Sequence, residues 1–346
     1  MPKQDIKNLS FQELAAYLES IGEKNFRANQ IFDWIYKKGV RNFTGMKNLP
    51  DPLKKKLGEN FVLEDQTLVK KEVARDTTTK FLFGLYDKEK VESVLIPSKA
   101  SVTACISTQA GCKFGCRFCA SGIGGWNRNL SCAEIVGQIL YVKESAKEKH
   151  PLTNIVFMGI GEPFDNYDNL IKAIRIINSP QGINIGARKI TISTCGLIPE
   201  IKQLIKENIQ IELAISLHGS NQQMRNLVMP VNRKYPLAEL IDVCRQYSTV
   251  TKRQITFEYI LIKDLTCTLK AAEELGKLLK GILCKMNLIP YNPVTEFPHE
   301  PPAKLEAIAF KTKLKELGIH ATIRTPRGRD IQGACGQLRH SAEINK

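Results

Sequence analysis

The stretch Ala110-Gly-Cys-Lys-Phe-Gly-Cys-Arg-Phe-Cys-Ala-Ser-Gly122 sets Cys112, Cys116 and Cys119 at the spacing C-x-x-x-C-x-x-C. Soft thiolates crowded onto one short loop are ligands for a thiophilic metal centre. Iron-sulfur clusters ordinarily take four thiolates. This loop supplies three, so one iron of a 4Fe-4S cluster would keep a position open for another ligand. The competing readings are a zinc knuckle or a group of buried thiols. Zinc sites read as C-x-x-C pairs followed by a second pair or by histidines, and no histidine lies in this loop or close after it. Gly111 and Gly115 let the backbone fold tightly around an inorganic core. Phe118 is an apolar neighbour suited to shielding one from water, or simply to packing.

Beyond the loop the sequence has a regular rhythm. Strand-like runs at Val102–Ser107, Asn154–Met158, Lys189–Thr194, Ile211–Leu217, Gln254–Ile262, Lys285–Pro290 and Ala321–Thr325 alternate with helical patterns. Those helical patterns fall at Ala133–Lys147, Asp168–Ile177, Pro199–Glu207, Leu237–Tyr247, Leu269–Leu279 and Lys304–Leu317. Such alternation predicts a parallel sheet with right-handed crossovers, with too few units for an eight-fold barrel. Upstream, Phe11–Ile21 and Phe26–Tyr36 repeat apolar residues at helical spacing, and Asn48-Leu-Pro-Asp-Pro-Leu53 turns into a third short helix. Runs at 67–73, 80–86 and 91–96 alternate as strands. The expected organisation is a helical accessory domain over 1–62, a β-rich connector over 63–97, a core over 98–330 and a C-terminal segment over 331–346.

The ends of the expected strands carry the remaining motifs. Gly159-Ile-Gly-Glu-Pro163 offers small residues for close approach and one carboxylate; Ser193-Thr-Cys-Gly196, Ser216-Leu-His218 and Tyr291-Asn-Pro293 offer hydroxyls, an imidazole and an amide. Each is weak alone. Together with the cysteine loop they resemble the radical S-adenosylmethionine (SAM) enzymes. That resemblance implies an α/β fold with a partial (β/α)6 TIM-type barrel, whose chemistry sits at the C-terminal ends of the strands. It also implies a 4Fe-4S cluster on Cys112, Cys116 and Cys119. SAM would be held by Gly161, Glu162, Ser193, Ser216, Leu217, His218 and Asn292.

Further segments narrow the likeness. Asn127-Arg-Asn-Leu130, Met229-Pro-Val-Asn232, Lys234-Tyr-Pro236, Asn287-Leu-Ile-Pro-Tyr-Asn-Pro293 and Gly333-Ala-Cys-Gly-Gln-Leu338 resemble the RlmN/Cfr family of radical SAM RNA methyltransferases. Family members methylate a ring carbon of an adenosine in 23S ribosomal RNA: carbon 2 in the RlmN branch, where some also modify tRNA, and carbon 8 in the Cfr branch. The run Thr325-Pro-Arg-Gly-Arg-Asp330 favours the RlmN branch. An adenine ring carbon is too poor a nucleophile to attack SAM, so the family uses two SAM molecules and an S-methylcysteine. By motif match that cysteine is Cys335. Cys105 is the resolving thiol, forming a transient disulfide with Cys335, and Glu92 is the proton acceptor.

Composition agrees with such a substrate. The formal net charge of +15 favours a polyanionic partner, and Lys54–Lys56, Lys70–Lys71, Arg324, Arg327 and Arg329 spread that charge along the chain. Ten cysteines without framework spacing suit a reducing compartment. No run is long and apolar enough to span a bilayer, and Met1-Pro-Lys-Gln-Asp5 is polar. The expectation is a cytoplasmic monomer, reduced by a donor such as flavodoxin or ferredoxin. Rival classes are a non-enzymatic iron-sulfur electron carrier, which would need neither SAM nor Cys335, and an RNA-binding factor with a structural cluster.

Overall fold

The computed structural model describes residues 3–64, 66–146 and 150–339. Two short strands, β1 (Gln4–Asp5) and β2 (Phe61–Val62), pair in parallel and close the N-terminal module. Between them lie α1 (Phe11–Ser20), α2 (Phe26–Phe32) and α3 (Asp51–Asn60). A reciprocal capping box starts α1: Glu13 N donates to Ser10 Oγ at 3.2 Å and Ser10 N to Glu13 Oε2 at 2.7 Å. The pattern expected as one helix to Tyr36 instead passes into a π-helical turn over Asp33–Lys37, which keeps both Ile35 and Tyr36 buried. Leu14, Leu18, Ile31, Phe32, Leu53 and Leu57 join the same apolar cluster as the core strands.

That core is one sheet of ten strands. An antiparallel meander of β3 (Thr67–Val73), β4 (Thr79–Gly84) and β5 (Lys90–Pro97) joins β6 (Val102–Cys105), with Val94 opposite Cys105. The strands read as a connector are therefore hydrogen-bonded into the main sheet. A separate two-stranded sheet, β7 (Gln109–Gly111) with β8 (Trp126–Asn129), brackets the cysteine loop. The parallel part runs on from β6 through β9 (Leu152–Phe157), β10 (Ile190–Thr194), β11 (Glu212–Ser216), β12 (Ile255–Leu261), β13 (Cys284–Pro290) and β14 (Ala321–Ile323). The strand order ends at β14 on one side and β3 on the other, so the barrel stays open.

Helices α4 (Cys132–Ala146), α5 (Tyr167–Asn178), α6 (Ile198–Lys206), α7 (Gln222–Val228), α8 (Leu237–Thr251), α9 (Leu269–Leu278) and α10 (Lys304–Glu316) form the crossovers. Lys147, the expected end of α4, lies outside the described residues. Every residue of β12 is buried, as expected for a parallel strand covered on both faces. The N-terminal module docks on α4 and α5: Ala133 N donates to Asn8 Oδ1 at 2.8 Å, and Lys172 pairs with Glu13 at 2.8 Å. Among the described residues no helix is long and apolar enough to cross a membrane.

The C-terminal segment, described as far as Arg339, is tied to distant elements. Arg75 N donates to Asp330, Gly328 N to Asp76, Ser121 Oγ to the carbonyl of Leu338, and Arg339 N to Glu92. These contacts lay the segment against the loops at the C-terminal ends of the strands.

Candidate active site

The cysteine loop leaves β7 and returns to β8 within a narrow space. A Cβ added to Gly111, whose φ is +79°, would meet the carbonyl oxygen of Gly125 at 2.0 Å. Only glycine permits that closure. Cys112 N donates to Gly125 O at 2.8 Å, and Ala120 N to Gly336 O at 2.7 Å, which joins the loop to the C-terminal segment. Cys112, Cys116 and Cys119 line one pocket of about 950 Å³. Phe118 lines it too and sits edge-on to His218, with ring centroids 4.7 Å apart.

The opposite walls come from the strand ends. Gly161, at φ +100°, lies so close to Gln109 that a Cβ would approach it at 2.5 Å. Glu162 is buried. Its Oε2 accepts from Cys195 N at 2.7 Å and its Oε1 from Phe164 N at 3.0 Å, while burial still raises its pKa. Each oxygen has further lone-pair capacity. Ser193 and Ser216 lie on adjacent strands with their hydroxyl oxygens 3.5 Å apart. His218, in left-handed backbone at φ +51°, accepts from Ile260 N through Nδ1 at 3.1 Å. Burial, aided by Arg225, depresses its pKa to about 3, so the imidazole is neutral with its proton on Nε2. Asn292 donates to the carbonyl of Cys335 at 3.1 Å and accepts from Arg329 at 2.7 Å.

Not every expected residue lines this pocket. Leu217 is fully buried outside it; its N–H donates to Glu258 O at 3.0 Å and its carbonyl accepts from Arg225. Cys105 lines a smaller adjoining pocket of about 660 Å³, beside Val94 and Arg324. Cys335 lines both pockets. Cys335 is itself exposed into this concavity, and the protein crowded around it desolvates the thiol and pushes its pKa up to about 12. Cys105 is likewise raised to about 12 by burial. Both thiols are free. Glu92 lines neither pocket. Its Oε1 pairs with Lys80 at 3.0 Å and its Oε2 accepts from Arg339 N at 3.0 Å, so it anchors the segment that carries Cys335. Burial raises the pKa of Glu92 while Lys80 pulls it down.

Two residues were not singled out from sequence as parts of the pocket wall. Glu258 is a buried carboxylate in the middle of β12. It accepts from Ser193 Oγ at 2.9 Å and pairs with Arg324 at 3.4 Å. Arg324, placed just after β14, pulls the pKa of both Cys105 and Cys335 downward. A legible signal existed: one glutamate inside the otherwise uncharged run Ile255-Thr-Phe-Glu-Tyr-Ile-Leu261. A carboxylate is almost never fully buried unless paired. Of the four cysteines without a motif, read from sequence as core or incidental thiols, Cys132 and Cys244 are buried and Cys267 and Cys284 are half-buried.

The donor set suits an iron-sulfur cluster better than a single ion. Among the described residues no three His, Cys, Asp or Glu are grouped as one metal ion needs, whereas a cluster takes each thiolate on a different iron. Burial, with neighbouring thiols adding to it, holds Cys116 well above the ordinary thiol range and Cys112 at about 12. Thiols so placed ionise only when a cationic centre compensates.

Residues 106–267 match the Radical SAM superfamily model, so the fold and the loop define a radical SAM enzyme, a class that implies a 4Fe-4S cluster and SAM. Residues 4–63 match the model described as the ribosomal RNA large subunit methyltransferase N-terminal domain, RlmN_N. A crystal structure of a radical SAM methyltransferase from Sphaerobacter thermophilus superposes with a TM-score of 0.94 at 41% identity, covering 98% of this chain and 100% of that one. A protein of Clostridium novyi named "Probable dual-specificity RNA methyltransferase RlmN" is 46% identical over 98% of each chain. One of the same name from Geobacillus kaustophilus is 44% identical over 98% of this chain and 93% of its own length. The chain belongs to the RlmN family.

Proposed function

We propose that this protein is a dual-specificity RNA methyltransferase that methylates carbon 2 of an adenosine in 23S rRNA and of a tRNA anticodon-loop adenosine. The observation that carries this reading is the placement of Cys335, which lines the pocket of the cysteine loop and the adjoining pocket of Cys105. An electron carrier would have no use for the second thiol, Cys105, in the adjoining pocket that Cys335 also lines, and a structural cluster has no use for a pocket.

Cys112, Cys116 and Cys119 would hold the cluster, and Gly161, Glu162, Ser193, Ser216, His218 and Asn292 would hold SAM. Bound together, these groups supply the electron, the methyl group and the hydrogen-abstracting radical. Cys335 carries the methyl and delivers it as a methylene bridge to the ring. Glu92 takes the ring proton. Cys105, as its thiolate, attacks the Cys335 sulfur; the carbon–sulfur bond breaks with its electron pair on the carbon, which takes up a proton to become the methyl group, and a disulfide forms. The pull of Arg324 on both thiols favours that attack. A flavodoxin- or ferredoxin-type donor would supply the electron for SAM cleavage, and a thiol reductant would return the Cys105–Cys335 disulfide to two thiols by exchange.

Mass spectrometry of rRNA and tRNA from a deletion strain, with and without the gene restored, tests this directly. Gene-dependent 2-methyladenosine in both RNAs is expected, and 8-methyladenosine would move the chain to the carbon-8 branch. A second expectation concerns the base. Glu92 must be ionised to accept a proton, so product formation should rise with pH through a pKa that burial has raised. Lys80→Met removes the opposing charge and should move this acid limb to higher pH. Glu92→Gln should slow product release by about 10²–10⁴-fold and abolish the limb. Single-turnover pH profiles on labelled RNA check both variants.

A further inference from the structure

We infer that a groove on the far side of the cysteine loop binds the phosphate backbone of single-stranded RNA beside the target base, using Arg117, Arg233 and Lys270. The inference rests on the proposed RNA methyltransferase reading and adds a surface to it. Arg117 stands between Cys116 and Phe118, which both line the cofactor pocket, while Arg117 itself lines the groove. A single residue of one loop thus separates the two concavities. Arg117 N donates to Val228 O at 3.0 Å, tying the loop to the end of α7. Arg233 follows in the turn Pro230–Arg233, and Lys270 is the second residue of α9.

The cations near the loop fall into two groups. Lys113 pairs with Asp165 at 2.7 Å, Arg128 with Asp87 and Glu134 at 2.5 and 2.8 Å, and Arg339 with Glu296 at 2.9 Å. Arg117, Arg233 and Lys270 are exposed and, among the described residues, no carboxylate pairs with them. Lys270 occupies the first turn of a helix, where the macrodipole disfavours a cation. After the hydrogen bonds from Ser220 and Asn221, it lowers the pKa of Glu274 one turn on without an ion-pair contact. Glu274 is the one carboxylate on the groove wall, and its Oε2 is occupied by Ser220 Oγ at 2.6 Å and Asn221 Nδ2 at 2.7 Å. Three cations around a concavity that also carries side-chain amides and hydroxyls complement phosphate and ribose oxygens, with only Lys270 offset in part by Glu274, one helical turn away. A base drawn into the pocket leaves the phosphates of its neighbours at the rim, next to this loop.

The test compares the reconstituted full chain with the triple variant Arg117→Gln, Arg233→Gln, Lys270→Gln. A charge-matched control carries Lys202→Gln, Lys206→Gln and Lys311→Gln on exposed positions of α6 and α10. Binding of an anticodon stem-loop RNA is followed against salt concentration, with SAM cleavage in the absence of RNA as the check on fold and cluster. The groove variant should bind at least about tenfold more weakly at low salt, and the slope of log affinity against log salt should flatten by about 2, near 0.7 per lost contact. RNA-free SAM cleavage should be unchanged in both variants, and the control should bind as the parent does. An equal loss in both variants, or no loss in the groove variant, overturns the inference. So does unchanged RNA binding with slower reduction by flavodoxin, which would assign the groove to an acidic electron donor. Failure of the parent protein itself to bind or methylate RNA would instead sink the functional reading.

Discussion

Replacing Cys116 by Ala is expected to remove reductive SAM cleavage to background. Cys112 and Cys119 cannot close the site, because each thiolate serves a different iron and the pocket's other thiols are committed elsewhere: Cys195 lies beside Glu162, and Cys335 is the proposed methyl carrier. A lost ligand should exceed the roughly 10–100-fold penalty for losing an outer-shell partner of a metal site. Anaerobic reconstitution, iron and sulfide counting and 5′-deoxyadenosine assay give the readout. The fold should survive, since the loop keeps its backbone ties from Cys112 N to Gly125 O and from Ala120 N to Gly336 O. A Cys116→Ala protein that still cleaves SAM at the parent rate would refute the three-cysteine site.

The cysteine loop was legible in sequence because its information is local: ligand spacing, glycines and the missing fourth thiol all lie within 110–122. The parallel core was legible for a related reason. Strands such as Ile255–Leu261 are buried on both faces and read as continuous apolar runs. Local signals fail where the determinant is short or distant. Three residues of β7 cannot show a period of two, and α7, with Gln222, Gln223 and Asn226 in seven residues, shows no clear apolar stripe. The join of β5 to β6 depends on pairing between separate segments, so strands expected as a connector became part of the main sheet.

The site shows the same division. Motif order placed Glu162, Ser193, Ser216, His218 and Asn292 at strand ends, and those five do share the pocket with the three cysteines. Leu217 was carried along by its motif, yet a residue between two pocket residues at a strand end turns to the other side. The Glu258–Arg324 pair joins β12 to the residue after β14, and only the fold brings the two side chains together.

Cys335 and Cys105 should separate cleanly under substitution. Cys335→Ala has no sulfur to carry the methyl group, so it should give neither methylated RNA nor any covalent adduct. Cys105→Ala keeps Cys335, and should load the methyl, add to the ring and stop there. The stall follows from the surroundings of Cys335: among the described residues the adjoining pocket holds Cys105 as its only other thiol, and Cys195, across the larger pocket, is held well above the ordinary thiol range by burial and by Glu162 beside it. Arg324 would remain to polarise the site but cannot act as a nucleophile. Substitution itself should disturb the fold little, because Cys105 packs at the edge of a small cluster with Val94, Ile160 and Leu338 and Ala deletes only a sulfur there. The measurement is a denaturing gel with labelled RNA after anaerobic turnover. A protein–RNA band is expected for Cys105→Ala, with free product reduced to background, and no band for Cys335→Ala. Normal turnover of Cys105→Ala without a band would make Cys105 an ordinary strand-end thiol and leave the release step to a reductant from solution.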